Sequence, residues 1–170
     1  MANPYLPLWE YIPDGTIHEV EITSLGFEDA LDSYNITNAD TACVLKNGCI
    51  ITEFDKFTRI ITNITSGCVI CWKYYDFGQD FTDGGMELEL KVIPRGCHGK
   101  IHVIIDNYTD GEEICTIWFD RSSNVLHGIT KTVTGRHAIF FAVEDGYMGW
   151  AKESFNCRQL FDLIAFVFLK

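Results

Sequence analysis

The chain has 170 residues, a formal net charge of -11 and 47% hydrophobic residues, among them 12 Phe, 7 Tyr and 4 Trp. That length is one ordinary domain with enough interior to fold without staples, and the composition is that of a globular chain rather than a disordered one. The acidic balance opposes phosphate backbones and anionic lipid, whose affinities come from Lys and Arg, so neither nucleic acid nor a membrane surface is expected as a partner.

No apolar run reaches the roughly 18 residues that a membrane span needs. No charged segment followed by an apolar one opens the chain, so a cytoplasmic or otherwise unexported location is expected. Residues 3–15 read Asn-Pro-Tyr-Leu-Pro-Leu-Trp-Glu-Tyr-Ile-Pro-Asp-Gly, and prolines at 4, 7 and 13 forbid a helix or a regular ladder. An extended arm over residues 1–16 is therefore expected, its aromatic rings covered either by the domain that follows or by a partner.

From Ile17 the pattern is strand and turn. Residues 18–22 alternate, and residues 26–32 have room for a turn of helix. Asp40 to Leu45 and Cys49 to Ile51 read as two short strands joined by Asn47-Gly48, the strongest short-range hairpin signal. Further strands are expected at 57–64, 67–77, 86–93, 101–105, 113–119, 128–133 and 137–143. Trp72 and Tyr74 are expected to share one face of their strand, with Tyr75 opposite. The last stretch, residues 160–170, is apolar on one parity and nearly so on the other, as a strand buried on both faces requires; Asp162 is its polar exception. Many short strands with hardly a helical period indicate an all-β sandwich or barrel.

The seven cysteines are an odd number flanked mostly by Val and Ile, which reads as free thiols packed as small core residues. Cys68 and Cys71 have metal-ligand spacing, but in a strand positions i and i+3 point to opposite faces, so a shared zinc is not expected.

The order of strands brings out a resemblance. Gly67-Cys68-Val69-Ile70-Cys71-Trp72-Lys73-Tyr74-Tyr75-Asp76-Phe77-Gly78 resembles the Gly-Asp-Trp-Val-x-Tyr-x-x-Val-Asp-Phe-Gly strand of family 6 carbohydrate-binding modules. In register with it, residues 99–106, 113–117 and 134–141 look like the family's next strands. Phe161-Asp162-Leu163-Ile164-Ala165-Phe166 stands in the place of its closing Phe-Asn-Leu-Asp-Trp-Phe, and His18-Glu19-Val20-Glu21 in the place of its opening Ile-Glu-Ala-Glu. The resemblance covers residues 17–170 and implies a galactose-binding-like jelly roll, an all-β sandwich, behind the extended N-terminal arm. The arm itself resembles the first strand of clostridial family 43 glycoside hydrolases (xylosidases and arabinosidases), with Asp14 at the position of their general base. One carboxylate cannot perform glycosidic cleavage, which needs two flanking the bond, so no hydrolysis is expected.

In family 6 modules a sugar stacks between a Tyr and a Trp and hydrogen-bonds to the Asn of the closing strand. Carried over residue by residue, these positions fall near Asn63, near Asn124 and on Asp162, so amides replace both rings and a carboxylate replaces the amide. Asp162 would accept from hydroxyls but donate nothing; equally, a carboxylate entering a buried strand needs a partner of its own. Tyr147 and Trp150, in the loop before the closing strand, are the rings that could meet a sugar instead, unless that loop packs onto the body. Trp118 reads as core or sheet surface. The family's structural calcium would be held through Glu19 and Glu21, with one oxygen ligand lost because Ile164 replaces the family's Asp. The resemblance thus implies a non-catalytic module of a xylan- or arabinoxylan-degrading glycoside hydrolase that binds β-glycan chains of the plant cell wall. The alternative is a non-binding accessory domain that packs against a family 43 catalytic propeller.

Overall fold

The computed structural model describes residues 30–79, 86–152 and 157–170, together with the backbone of residues 22–23 and 26–27. The expected arm, the boundary after residue 16, and Glu19 and Glu21 lie outside the described residues. The chain forms β1 (Ile22–Thr23), β2 (Gly26–Phe27), β3 (Leu31–Asp32), β4 (Thr37–Asn38), a 3-10 turn (Ala39–Thr41), β5 (Val44–Lys46), β6 (Ile50–Glu53) and β7 (Arg59–Ile64). It continues through β8 (Val69–Asp76), β9 (Met86–Pro94), β10 (Gly99–Ile105), β11 (Glu113–Phe119), β12 (Val125–Thr130), β13 (Arg136–Asp145) and β14 (Phe161–Leu169). Residues expected to hold a turn of helix instead contribute β2 and β3.

Two sheets pack face to face. The first runs β11-β10-β13-β8-β3, with β5 also pairing along β8; the second runs β12-β9-β14-β7-β6, with β4 also pairing along β14. Apolar residues of alternate parity from both sheets meet in one core, which includes Ile61, Ile70, Leu88, Leu90, Ile101, Val103, Ile117 and Phe141. Gly128 lets the sheets close at one flank: a Cβ there would lie 2.5 Å from Ile117 Cγ1 and 2.6 Å from Cys115 Sγ. The core centre is aromatic. Phe166 lies 4.7 Å from Trp72, 5.1 Å from Phe141 and 6.0 Å from Tyr75 between ring centroids, at edge or tilted angles that suit the ring quadrupoles. Tyr75 keeps its hydroxyl satisfied by donating to Thr37 Oγ1 at 3.0 Å, and its pKa is raised, chiefly by burial.

Two bulges decide which side chains reach that core. Opposite β13, the register passes from His137↔Tyr75 to Ile139↔Trp72, so Lys73 and Tyr74 together face Ala138. The extra residue resets the parity of β8. Trp72 and Tyr75 therefore both point inward and Tyr74 is 49% exposed, which corrects the expectation that Trp72 and Tyr74 share a face. In β14 the register against β9 jumps from Leu163↔Val92 to Ala165↔Lys91, with Ile164 as the extra residue. The inward set is then Phe161 and Leu163 before the bulge and Phe166 and Phe168 after it, not a single unbroken parity.

The Asn47-Gly48 turn forms with both residues at positive φ, 64° and 92°, as a primed turn requires. It does not close a hairpin: β5 pairs with β8 in one sheet and β6 with β7 in the other. Side-chain amides hold this crossover, with Asn47 Nδ2 donating to Gly67 O at 2.6 Å and Asn63 Nδ2 to Gly48 O at 2.7 Å.

Removing the ring at the centre of the core leaves a cavity among Trp72, Tyr75 and Phe141. Phe166→Ala is expected to cost about 3–5 kcal/mol in urea unfolding, whereas Phe57→Ala should stay within about 0.5 kcal/mol, since Phe57 is 89% exposed.

Candidate functional site

One end of the sandwich gathers the connections 65–68, 95–98, 120–124 and the loop that leads from β13 to β14. Their strands are in register there: Gly99 pairs with both Phe119 and Asp145, and Phe161 with both Ile64 and Pro94. Backbone bonds lace the loops together, Gly67 N to Val143 O at 2.7 Å and Gly146 N to His98 O at 2.9 Å.

Asp162 enters this end on the outer face of β14, directly across from Ile93, yet it has 0% exposure. Its Oδ1 accepts from Thr62 Oγ1 at 2.7 Å and from Gln159 Nε2, and its Oδ2 accepts from Arg95 Nε at 3.0 Å and Nη2 at 2.5 Å. Four donors occupy the carboxylate, so it is satisfied within the protein. The polar group that faces solvent at this spot is Arg95, whose side chain is 47% exposed. Asn63, at φ 56°, is turned away to hold the Gly48 carbonyl.

Asn124 is placed differently. It is exposed, its carbonyl accepts from Val92 N at 2.9 Å, and it lines an open groove of about 370 Å³ with Phe54, Lys91, Val92, Ile93, Val125 and Ile164. The floor is the outer face of the second sheet, crossed by β12, β9 and β14, and the wall is Phe54, 57% exposed, from the β6–β7 turn. That turn is ordered by Asp55, whose Oδ1 accepts from the Phe57 and Thr58 amides, both at 2.8 Å. Those bonds, Phe57 N–H first, hold the Asp55 pKa below the usual carboxylate range. On the other flank Asp120 organises the loop that carries Asn124. It accepts from the Ser122 and Ser123 amides at 2.7 Å each and from Ser123 Oγ at 2.7 Å, and these bonds lower its pKa to about 2.

The other expected rings diverge. Trp150 is 99% exposed. Tyr147 is half-buried beside the Asp145–Arg158 ion pair, its amide donating to Asp145 Oδ1 at 2.9 Å and its ring centroid 6.0 Å from the Arg158 guanidinium carbon. The structure thus brings Asp162 and Asn124 to one sheet face, leaves Asn63 on β7 bonded to the crossover turn, and sets Tyr147 and Trp150 on the loop after β13. Trp118 is sheet surface, 67% exposed with Lys100 Nζ 4.7 Å from its ring centroid. Among the described residues no three His, Cys, Asp or Glu side chains are grouped to hold a metal ion. Ile164 lines the groove.

No family model matches the chain, and no curated protein matches it. Solved structures do. A family 6 carbohydrate-binding module from Clostridium cellulolyticum, in complex with xylose, aligns with a TM-score of 0.66 at 19% identity over 82% of this chain and 99% of that one. The fold is that of a family 6 carbohydrate-binding module. A β-1,3-glucan binding family 6 module from Bacillus halodurans aligns with a TM-score of 0.65 at 16% identity, over 84% of this chain and all of that one (100%). A glycoside hydrolase family 43 arabinoxylan arabinofuranohydrolase from Bacillus subtilis, in complex with cellotetraose, aligns with a TM-score of 0.66 at 20% identity; the match covers 85% of this chain but 28% of that one.

Within this family 6 fold, Phe54 is the residue that sequence reasoning passed over. Its signal was present in Phe54-Asp55-Lys56-Phe57, a turn between two β-branched strands with an Asp in position to cap it.

Arg95→Ala leaves a buried carboxylate short of two donors and is expected to cost roughly 2–4 kcal/mol by chemical denaturation. Lys131→Ala, which removes the exposed Lys131–Glu112 pair at 2.9 Å, should cost under about 1 kcal/mol. A depressed folded-state pKa contributes order above the unfolded value and loses it on acidification. Amide-exchange protection at Ser122 and Ser123 should therefore be full above about pH 4 and fall as pH approaches the Asp120 value of about 2.

Proposed function

We propose that the chain is a non-catalytic carbohydrate-binding module serving a xylan- or arabinoxylan-degrading glycoside hydrolase, and that it binds β-glycan chains of the plant cell wall. The observation that carries this is the groove beside Asp162, set in a family 6 fold: an apolar floor and a ring wall, with an amide and an ammonium at its edge. A pyranose presents a C–H face and a rim of hydroxyls, so it matches a flat ring beside amide and cationic donors. Phe54 takes the C–H face, Asn124 donates to and accepts from hydroxyls, and Lys91 donates to them. Binding moves no proton and breaks no bond. A net charge of -11 does not oppose a neutral polysaccharide. The modules of similar fold include one held with xylose, the monomer of a xylan backbone, and one that binds β-1,3-glucan, a β-glycan chain.

A second reading, a non-binding domain that packs against a catalytic propeller, draws on Asp162 being fully engaged within the protein and on Met148 and Trp150 being 84% and 99% exposed.

Affinity electrophoresis and calorimetry with xylan, cellooligosaccharides and β-1,3-glucan separate the two. The expected result is binding to at least one, weakened about tenfold or more, or about 1.4 kcal/mol, by Phe54→Ala and by Asn124→Ala. Absence of binding to all three at millimolar sugar would reject the first reading and leave the second.

A further inference from the structure

Four of the seven cysteines, Cys43, Cys49, Cys68 and Cys71, fall within residues 43–71. Cys68 and Cys71, three positions apart, look in the sequence like a single pair. The fold separates them: Cys68 belongs to the main core, and Cys71 to a small cluster on the outer face of the first sheet with Val69, Ala138 and Phe140. Each has a different partner, supplied by the segment that crosses from one sheet to the other. On the outer face Cys43 Sγ lies 3.8 Å from Cys71 Sγ, and the Cys43 amide donates to the Cys71 carbonyl at 2.8 Å, so the two backbones are already docked. In the core Cys49 Sγ donates to the Lys46 carbonyl at 3.3 Å, while Cys68 Sγ donates to the Asn47 carbonyl at 3.3 Å and accepts from Thr65 N at 3.3 Å. Cys43 is exposed, whereas Cys49, Cys68 and Cys71 are buried.

We propose that Cys43 and Cys71 form a reversible disulfide when the chain meets an oxidising thiol–disulfide pool, and that Cys49 and Cys68 remain thiols under the same conditions. The two outer sulfurs need only close from 3.8 Å to the bond length of about 2.05 Å, a movement that an exposed side chain on a docked backbone can make. With glutathione disulfide as oxidant, the Cys43 thiolate attacks one of its sulfurs and expels a glutathione thiolate. The Cys71 thiolate then attacks the Cys43 sulfur of the mixed disulfide and expels the second. The protein loses two protons and two electrons, and glutathione disulfide becomes two glutathione molecules. The order follows from the surroundings: burial, with Cys43 close by, pushes the Cys71 thiol up to about 12, while Cys43 faces the solvent from which the oxidant comes. The buried core pair offers an oxidant no such approach. The ring so closed runs from residue 43 to residue 71 and contains the crossover turn, β6, β7 and Phe54, so it ties the groove wall to the first sheet.

The test uses the full chain with Cys157, the other exposed thiol, changed to Ser to prevent dimers. After equilibration with glutathione disulfide, free thiols are alkylated and the protein is digested without reduction for mass spectrometry. The expected map holds a Cys43–Cys71 cross-link with Cys49 and Cys68 alkylated, and a Tm about 10 °C above that in dithiothreitol. Cys43→Ser, a substitution at an exposed position, should lose both the cross-link and the shift while melting in dithiothreitol like its parent. Alkylated Cys43 after oxidation, or a cross-link joining Cys43 to Cys49, Cys68 to Cys71 or Cys49 to Cys68, would overturn the proposal.

Discussion

A carboxylate with no solvent exposure is costly unless every acceptor site is met, and the cleft end of this sandwich is arranged around meeting that need for Asp162. Its four hydrogen bonds come from Thr62 on β7, Arg95 after β9 and Gln159 before β14, so three separate stretches converge on one side chain. The convergence fixes the entry of β14 between its neighbours, from which the register along Ile93, Val92 and the bulge at Ile164 follows. It also explains why a position that looks like a sugar acceptor in the sequence is closed to ligand: the lone pairs are used inside the protein. The open groove lies one step along the same face, where Asn124 and Phe54 border an apolar floor.

The bulge at Ile164 links that site to the core. In an unbroken alternation of this sequence, Asp162 and Phe166 would lie on the same face of β14. With the extra residue, Asp162 faces outward to its donors and Phe166 inward to Trp72, Phe141 and Tyr75. The bulge in β8 does the same for Trp72 and Tyr75, bringing two large rings to one face. Folding energy and site geometry therefore depend on the same local irregularities.

The all-β class, most of the strands along the chain and the doubly buried closing strand were legible in the sequence, because apolar alternation and turn residues are local signals. The bulges were not, since an extra residue shows only against a partner strand, and each one inverts the faces assigned beyond it. The Asn47-Gly48 turn was legible as a turn but not as a crossover, because two residues set the bend and distant edges of β8 and β7 choose the partners. Of the residues named for the site, Asn124 lines the open groove, whereas the Asn63 amide serves a backbone carbonyl and the Asp162 carboxylate an arginine. The cysteine partners were hidden for the same reason as the bulges: spacing in sequence points to Cys68 with Cys71, and only the fold pairs Cys71 with Cys43.

The central claim is that a sugar occupies the groove beside Asp162. Titration of isotope-labelled protein with a xylooligosaccharide, followed by nuclear magnetic resonance, tests it most directly. The account predicts that the Asn124 side-chain amide and the Phe54 ring shift together and saturate on one isotherm, while signals of the opposite sheet face around Trp118 stay in place. Saturable shifts confined to Trp118 or Trp150, with the groove unmoved, would contradict it.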